Sequence, residues 1–364
     1  MKRFTLKNCI AHSGGDAVEF VKEHIFNAKK TLFIGTVGVD ANSLYYSSML
    51  ASSPSIEYKF LIEKRPTLSP LLDALGAAHK DFLSQKLAEH SVEFVEVKIV
   101  ADDGATVAGR NAVRTADQWL QQPGYSDIVI DTTGMSRGTC FPIVQQAVAV
   151  GLSKGVDVHL LIASGNEPAF SIISESNDRA EWMHGFQEKM DSDKMDGALK
   201  LWVPQLSEGK VQATAAMYSK LDQVAEVCPV IPFPSHNPRR GDNILFEYKD
   251  AISEQWDSGL LNIIYAHESN PLDVYRSVSA LHKIREEVFS GTGETPITIL
   301  SPAGWRIGSL GMLLASIDLK LPVLYVETIG YTVHGTLPSK VTSPNPDHAW
   351  HVWLTGSVYE TSRS

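Results

Sequence analysis

Apolar and polar positions along the first half of the chain switch between two periods. Short runs such as "LFIG" at 32–35, "IVID" at 128–131 and "LLIA" at 160–163 are apolar on both faces, as central parallel strands are. Between them lie stretches with helical spacing. "LSPLLDALGAAHKDFLSQKLAEH" places Leu71, Leu72, Leu75, Phe82 and Leu87 on one side of a helix, and "AGRNAVRTADQWL" reads as another. "VEFVEVKIV" alternates apolar and charged residues and predicts a half-exposed strand. A further helix is expected from about Gly138 to Lys154. Strands alternating with helices predict a mainly parallel sheet with helices on its faces.

The rhythm fades from Ser174 to Thr214, where "SESNDRAEWMHGFQEKMDSDKMDGALK" is polar and charged. It then returns. "LLNIIYAHE" and "TPITILSPAG" predict strands. "PLDVYRSVSALHKIREEVF" predicts a helix opened by Pro271, and "HAWHVWLTGSV" a late edge strand. The predicted fold class is α/β, with two tandem Rossmann-like lobes of mainly parallel sheet flanked by helices. The expected division is an N-terminal α/β domain at 1–173, a polar junction at 174–214 and a C-terminal α/β domain at 215–364. A length of 364 residues suits two domains.

Charge narrows the function classes. The formal net charge is −10, from 42 acidic and 32 basic residues, which disfavours a broad surface for duplex nucleic acid. The three cysteines, Cys9, Cys140 and Cys228, lie far apart in no metal-ligand spacing, so a reducing cytoplasm and no metal site are expected. No 18-residue apolar window and no apolar leader are visible, so no membrane role is expected.

In open parallel sheets, ligands bind beyond the carboxyl ends of the strands. At these ends the first half carries Thr36 and Gly38, then Asp131, Thr133, Gly134, Ser136 and Arg137 in "DTTGMSRGT". A helix N-terminus with hydroxyls, glycines and an arginine suits a phosphate group. The same residue types also suit plain capping, with Asp131 and Thr133 satisfying backbone groups. "GMSRG" is formally GxSxG, so Ser136 is also a candidate nucleophile, with His267, His282, His348 or His351 as candidate bases. A second GxSxG, "GLSKG" at 151–155, shows how loose that pattern is.

In the second half, "ITILSPAGWRIGSLG" repeats the strand-turn-helix grammar with Ser301, Gly304 and Arg306. Gly308 and Gly311 fall inside its helix, a cost of about 1 kcal/mol each that implies close packing or close ligand approach. Trp305 offers either a stacking surface or a packing one. "PFPSHNPRRGDN" gathers His236, Arg239, Arg240 and Asn243 in a proline-stiffened loop, and His267 and Glu268 follow the next strand. His236, His267 and Glu268 are the acid/base candidates. Neither a Walker A loop, a GxGxxG, an HExxH nor a paired CxxC is present.

The stretch "DTTGMSR" after an apolar strand resembles the signature of CARF-type Rossmann-like sensor domains. The apparent two halves resemble the related SAVED domains of prokaryotic antiviral systems. The resemblance implies binding of a nucleotide or cyclic oligonucleotide at Asp131, Thr132, Thr133, Gly134, Ser136 and Arg137, with a looser match at Thr36 and Gly38. Met135 stands where the family has a second glycine, and "SHNPRRGDN" and "SPAGWRIGSLG" match no family motif. The leading expectation is a sensor or regulatory protein for a small phosphorylated ligand, needing no cofactor. A partner protein in a defence complex and a homo-oligomer stay open. One alternative is an enzyme hydrolysing a nucleotide-type ligand; another is a scaffold subunit that binds neither.

Overall fold

The apolar runs at 32–35, 128–131 and 160–163 form neighbouring parallel strands of one sheet, in the first of two compact units. In the computed structural model the described residues are 6, 9–165, 171–187, 198–221, 226–256, 262–292, 295–334 and 343–359. One unit comprises 1–175 and 328–364, the other 176–327.

In the first unit, β1 (Ile10–Ser13) leads into α1 (Gly14–Phe20), which continues as a π-helical turn over Val21–Ile25. There follow β2 (Thr31–Thr36), α2 (Tyr45–Met49), β3 (Ile56–Lys64), β4 (Thr67–Leu68), α3 (Pro70–Lys86) and β5 (Val92–Lys98). The unit continues with α4 (Ala108–Leu120), β6 (Asp127–Asp131), α5 (Arg137–Lys154) and β7 (Asp157–Ser164). β15 (His348–Thr355) returns to it from the end of the chain. The sheet order is β1-β15-β7-β6-β2-β3-β5. The strands from β7 to β5 are parallel, while β15 is antiparallel to β7 and β1 antiparallel to β15. Numbered by chain order, the five parallel strands lie as 3-2-1-4-5, the Rossmann-type order. The order reverses between β2 and β6. Phe33, Val129, Leu161 and Ala349 pack on one face against Ala17, Val21 and Ile25 of the first helix and its π turn.

In the second unit, β9 (Leu199–Pro204) is followed by α6 (Val211–Lys220), β10 (Glu226–Val227), β11 (Val230–Pro232), α7 (Arg240–Glu247) and β12 (Ile264–Ala266). Then come α8 (Pro271–Phe289), β13 (Pro296–Ser301) and α9 (Arg306–Leu319). β9 pairs in parallel with β10 and β13, and β11 with β12. Single bridges, Gln205 to Val230 and Leu300 to Val323, extend the ladder to β11 and to the segment entering β14 (Leu324–His334). The 3-2-1-4-5 order recurs, with its reversal between β9 and β13. The chain passes between units along β14 and along β8 (Ser171–Trp182), which lie in a three-stranded sheet of order β4-β14-β8. Trp202, Tyr218, Tyr248 and Trp256 anchor the second core.

The division differs from the sequence expectation in three places. The expected junction at 174–214 contains β8 and β9, and β9 is a central strand; its residues 188–197 lie outside the described set. "LKLWVP" is short and follows a polar run, which hides it from a periodicity reading. The expected second domain ran to 364, but residues from Thr328 onward belong to the first unit, because β15 pairs with β7. For the same reason β15 is not an edge strand: β1 covers its outer side.

Candidate functional site

Both stretches singled out in the sequence lie where the strand order reverses, the place at which an open α/β sheet leaves a crevice. In the first unit, Thr36 ends β2 and Gly38 follows it, and Asp131 to Arg137 link β6 to α5. The two strand ends touch: a Cβ on Gly134 would lie 2.7 Å from the Thr36 carbonyl oxygen, and one on Gly38 3.6 Å from the Gly134 carbonyl. Thr36, Gly38, Gly134, Ser136 and Arg137 are thus brought together around one turn.

Asp131 and Thr133 point inward. Both are buried. The Asp131 Oδ1 accepts the Thr133 N–H at 3.0 Å and the Thr133 hydroxyl at 2.5 Å. The Thr133 Oγ1 in turn accepts the Ala163 N–H at 2.9 Å, and the Thr132 hydroxyl donates to the Leu161 carbonyl. These side chains tie the turn to β7. Ser136 is the half-buried N-cap of α5, and its hydroxyl donates to Thr139 Oγ1 at 3.1 Å. None of His267, His282, His348 or His351 is hydrogen-bonded to Ser136 among the described residues. His282 bonds Thr298, and His351 bonds two other histidines.

The anion-binding end of α5 holds a carboxylate of this chain. Glu63, near the end of β3, accepts the Ser136 backbone N–H on Oε1 at 2.9 Å. Its Oε2 accepts from Arg65, which also donates to the Thr328 carbonyl and stacks on the Tyr331 ring. Both side chains are buried, at 9% and 3% exposure. A helix N-terminus favours negative charge, and Glu63 supplies it internally. A phosphate on the same donors would have to displace that carboxylate against its repulsion.

The second unit differs at the matching place. α9 has 14 residues, and its N-cap, Trp305, makes no side-chain capping bond. Among the described residues no carboxylate is hydrogen-bonded to the backbone of Arg306, Ile307 or Gly308, and the Arg306 side chain is exposed. Ser301 is buried and accepts the Trp202 indole N–H at 2.8 Å. Gln205 fills the space beside Gly304 and Gly308, donating to the Trp305 carbonyl and accepting the Ser309 hydroxyl. A Cβ on Gly311 would lie 2.3 Å from the Pro271 carbonyl of α8, so helix packing accounts for that glycine. Trp305 is buried, with its ring against Gly308, which leaves no face for stacking a base.

Beside this crevice, His236 and Arg239 are exposed in the loop after β11. Glu268, after β12, accepts the His236 backbone N–H at 2.7 Å and pairs with Arg240. Asn243, on α7, donates to Glu208 at 3.1 Å. The exposed His267 accepts from the Ser269 N–H and meets its hydroxyl within one turn. Glu268 therefore braces the loop and leaves the imidazole of His236 and the guanidinium of Arg239 directed to solvent.

A third group was not assembled by sequence reading. At the opposite edge of the first sheet, where its parallel strands begin, four side chains converge: His24, Asp127, Asp157 and His159. One ligand atom from each lies within 4.8 Å of all the others. His159 continues the group inward, with Nδ1 2.9 Å from His351 Nε2, and His351 Nδ1 lies 2.9 Å from His12 Nδ1. The sequence signal was slight: an Asp-x-His at 157–159 and a His-x-x-His at 348–351.

No helix among the described residues is long and apolar enough to cross a membrane. No family model matches the chain, and no curated protein matches it. Among solved structures, E. coli MccB is similar over 42% of this chain and 39% of its own, at 11% identity and a TM-score of 0.22. MccB with SeMet MccA gives 48% of each chain, 11% and 0.23. The cytoplasmic domain of a prokaryotic cation chloride cotransporter gives 83% of this chain and 96% of its own, 11% and 0.24. The chain spans less than half the length of the MccB chains it matches.

Proposed function

We propose that this protein binds a nucleotide or other phosphorylated small molecule without turning it over, as a sensor or regulatory component. The ligand's phosphate is assigned to the N-terminus of α9 with Arg306 as its counter-charge, and Arg239 and His236 serve as further contacts on the neighbouring strand ends. The observation that carries this reading is the contrast between the two reversal points. In the first unit the helix N-terminus is occupied by Glu63; in the second it carries an exposed arginine and, among the described residues, no carboxylate hydrogen-bonded to its first backbone N–H groups. The resemblance of "DTTGMSR" to CARF-type domains, which lies in the first unit and not at α9, is what suggests a nucleotide as the ligand class and antiviral defence as the setting.

A thermal-shift screen of the full chain against mono-, di- and cyclic oligonucleotides tests the reading, with mass spectrometry of the recovered ligand. Stabilisation by one nucleotide class and unchanged ligand mass are expected. A new product, lost in His236→Ala or His267→Ala, would replace it with the hydrolase reading. No response to any nucleotide would leave the scaffold reading in its place.

A further inference from the structure

We infer that His24, Asp127, Asp157 and His159 form a binding site for a divalent transition metal of the zinc class at the amino-terminal edge of the first sheet. The site follows from strand register. Asp127 opens β6 and Asp157 opens β7, and the two are direct neighbours in the parallel ladder. His159 lies two residues along β7, on the same face as Asp157. Across the antiparallel pair, Trp353 opposes His159 and His351 opposes Leu161, while His12 opposes His351 on β1. One face of three strands thus carries Asp157, His159, Trp353, His351 and His12, beside Asp127. α1 and the π-helical turn after it lay Phe20 and His24 over that face, and Phe20 stacks on His12, His24 and His351.

The distances suit a small cation. His159 Nε2 lies 3.2 Å from Asp127 Oδ1, and His24 Nε2 lies 3.9 Å from it. Four ligands about 2.0–2.2 Å from a tetrahedral zinc stand close to such separations. Two imidazoles and two carboxylates make a nitrogen–oxygen set suited to zinc and its neighbours rather than to calcium or magnesium.

Charge points the same way. Neither Asp127 nor Asp157 pairs with a lysine or arginine among the described residues. The two carboxylates stand close together with no such cation on either, a charge that one divalent ion balances.

The shell behind the ligands is already built. A metal-bound histidine donates its second ring N–H to a fixed partner. With Nε2 of His159 on the metal, its Nδ1–H donates to His351 Nε2, and the His351 Nδ1–H donates to His12 Nδ1. Asp157 is held separately, accepting the Ser357 N–H on Oδ1 at 2.7 Å. Gly356, at φ 134°, permits this: a Cβ there would lie 1.7 Å from that oxygen. His24, at 39% side-chain exposure, gives an entry path from solvent.

Tag-free full-length protein, stripped with a chelator, is titrated with zinc chloride by calorimetry and with cobalt(II) by visible absorption. One ion per chain and the strong absorption of four-coordinate cobalt are expected. His24→Ala, whose side chain is partly exposed, and Asp157→Asn are expected to stay folded by circular dichroism and to lose both signals. His351→Phe is expected to weaken zinc about 10–100-fold through the lost second-ring partner. In nitrogen-15 spectra of the wild type, zinc is expected to shift His159 Nε2. Wild-type affinity in His24→Ala and Asp157→Asn, or an unchanged His159 Nε2 on saturation with zinc, would overturn the assignment.

Discussion

The Glu63 carboxylate caps α5 at its N-cap residue Ser136, accepting the Ser136 backbone N–H at 2.9 Å from 73 residues earlier in the chain. The first-unit turn therefore satisfies its own electrostatic demand. Replacing Glu63 by alanine leaves Arg65 buried without its carboxylate. A loss of about 3 kcal/mol is expected, the lower end for one-sided removal of a buried pair, because Arg65 keeps Thr328 and Tyr331. Urea unfolding measures it. A loss below about 0.5 kcal/mol, typical of an exposed position, would show that Glu63 is not the cap described.

Gly134 lets the β6–α5 turn approach the end of β2. An alanine Cβ there meets a backbone oxygen at 2.7 Å, which no side-chain rotation relieves. Gly134→Ala is expected to cost about 1–3 kcal/mol of stability. Thr133→Val is expected to cost about 1–3 kcal/mol as well, since it strips a buried hydroxyl from Asp131 and from the Ala163 N–H. Ser136→Ala, at a half-buried position with one hydroxyl partner, is expected to leave both stability and ligand response nearly unchanged. Loss of a ligand-processing activity in Ser136→Ala alone would restore the nucleophile reading.

How much of this was visible in the sequence depends on the distance over which each feature is encoded. Helix α4 and strands β2, β6 and β7 follow from local period, because their apolar positions repeat within a few residues. The return of β15 to the first sheet is not local: nothing near His348 names β7 as its partner. The inward turn of Asp131 and Thr133 was one of two readings of the same residues, and only the position of the Ala163 N–H decides between them. Glu63 sits near the end of β3, and its reach to Ser136 depends on β3 lying two strands from β6. The histidine row needs four strands and a helix in register, so its members stay scattered through the chain.

His79 makes part of the stability dependent on pH. It is buried under the β2 end, with Nδ1 2.8 Å from the Gly38 carbonyl. Burial lowers its pKa, and the bond to Gly38 and the charge of Asp40 only partly restore it. The unfolded chain takes up a proton near pH 6.5 that the folded chain refuses. The His79 contribution is therefore complete above about pH 6.5 and is lost as pH falls below it, by at most about 1.4 kcal/mol per pH unit. Urea midpoints of the wild type and of His79→Gln between pH 7.5 and about 5 check this. The variant is expected to show the shallower decline; equal slopes would remove His79 from the account.

The direct test of ligand binding is calorimetric titration of ATP and of a cyclic oligoadenylate into the full-length wild type, Arg306→Ala and Arg137→Ala. A charged hydrogen bond is worth about 1.5–3 kcal/mol, so Arg306→Ala is expected to weaken the bound nucleotide about 10–150-fold. Arg137→Ala, beside the helix end that Glu63 occupies, is expected to change affinity far less. Heat from neither nucleotide in the wild type, or equal affinity in wild type and Arg306→Ala, would contradict binding at α9.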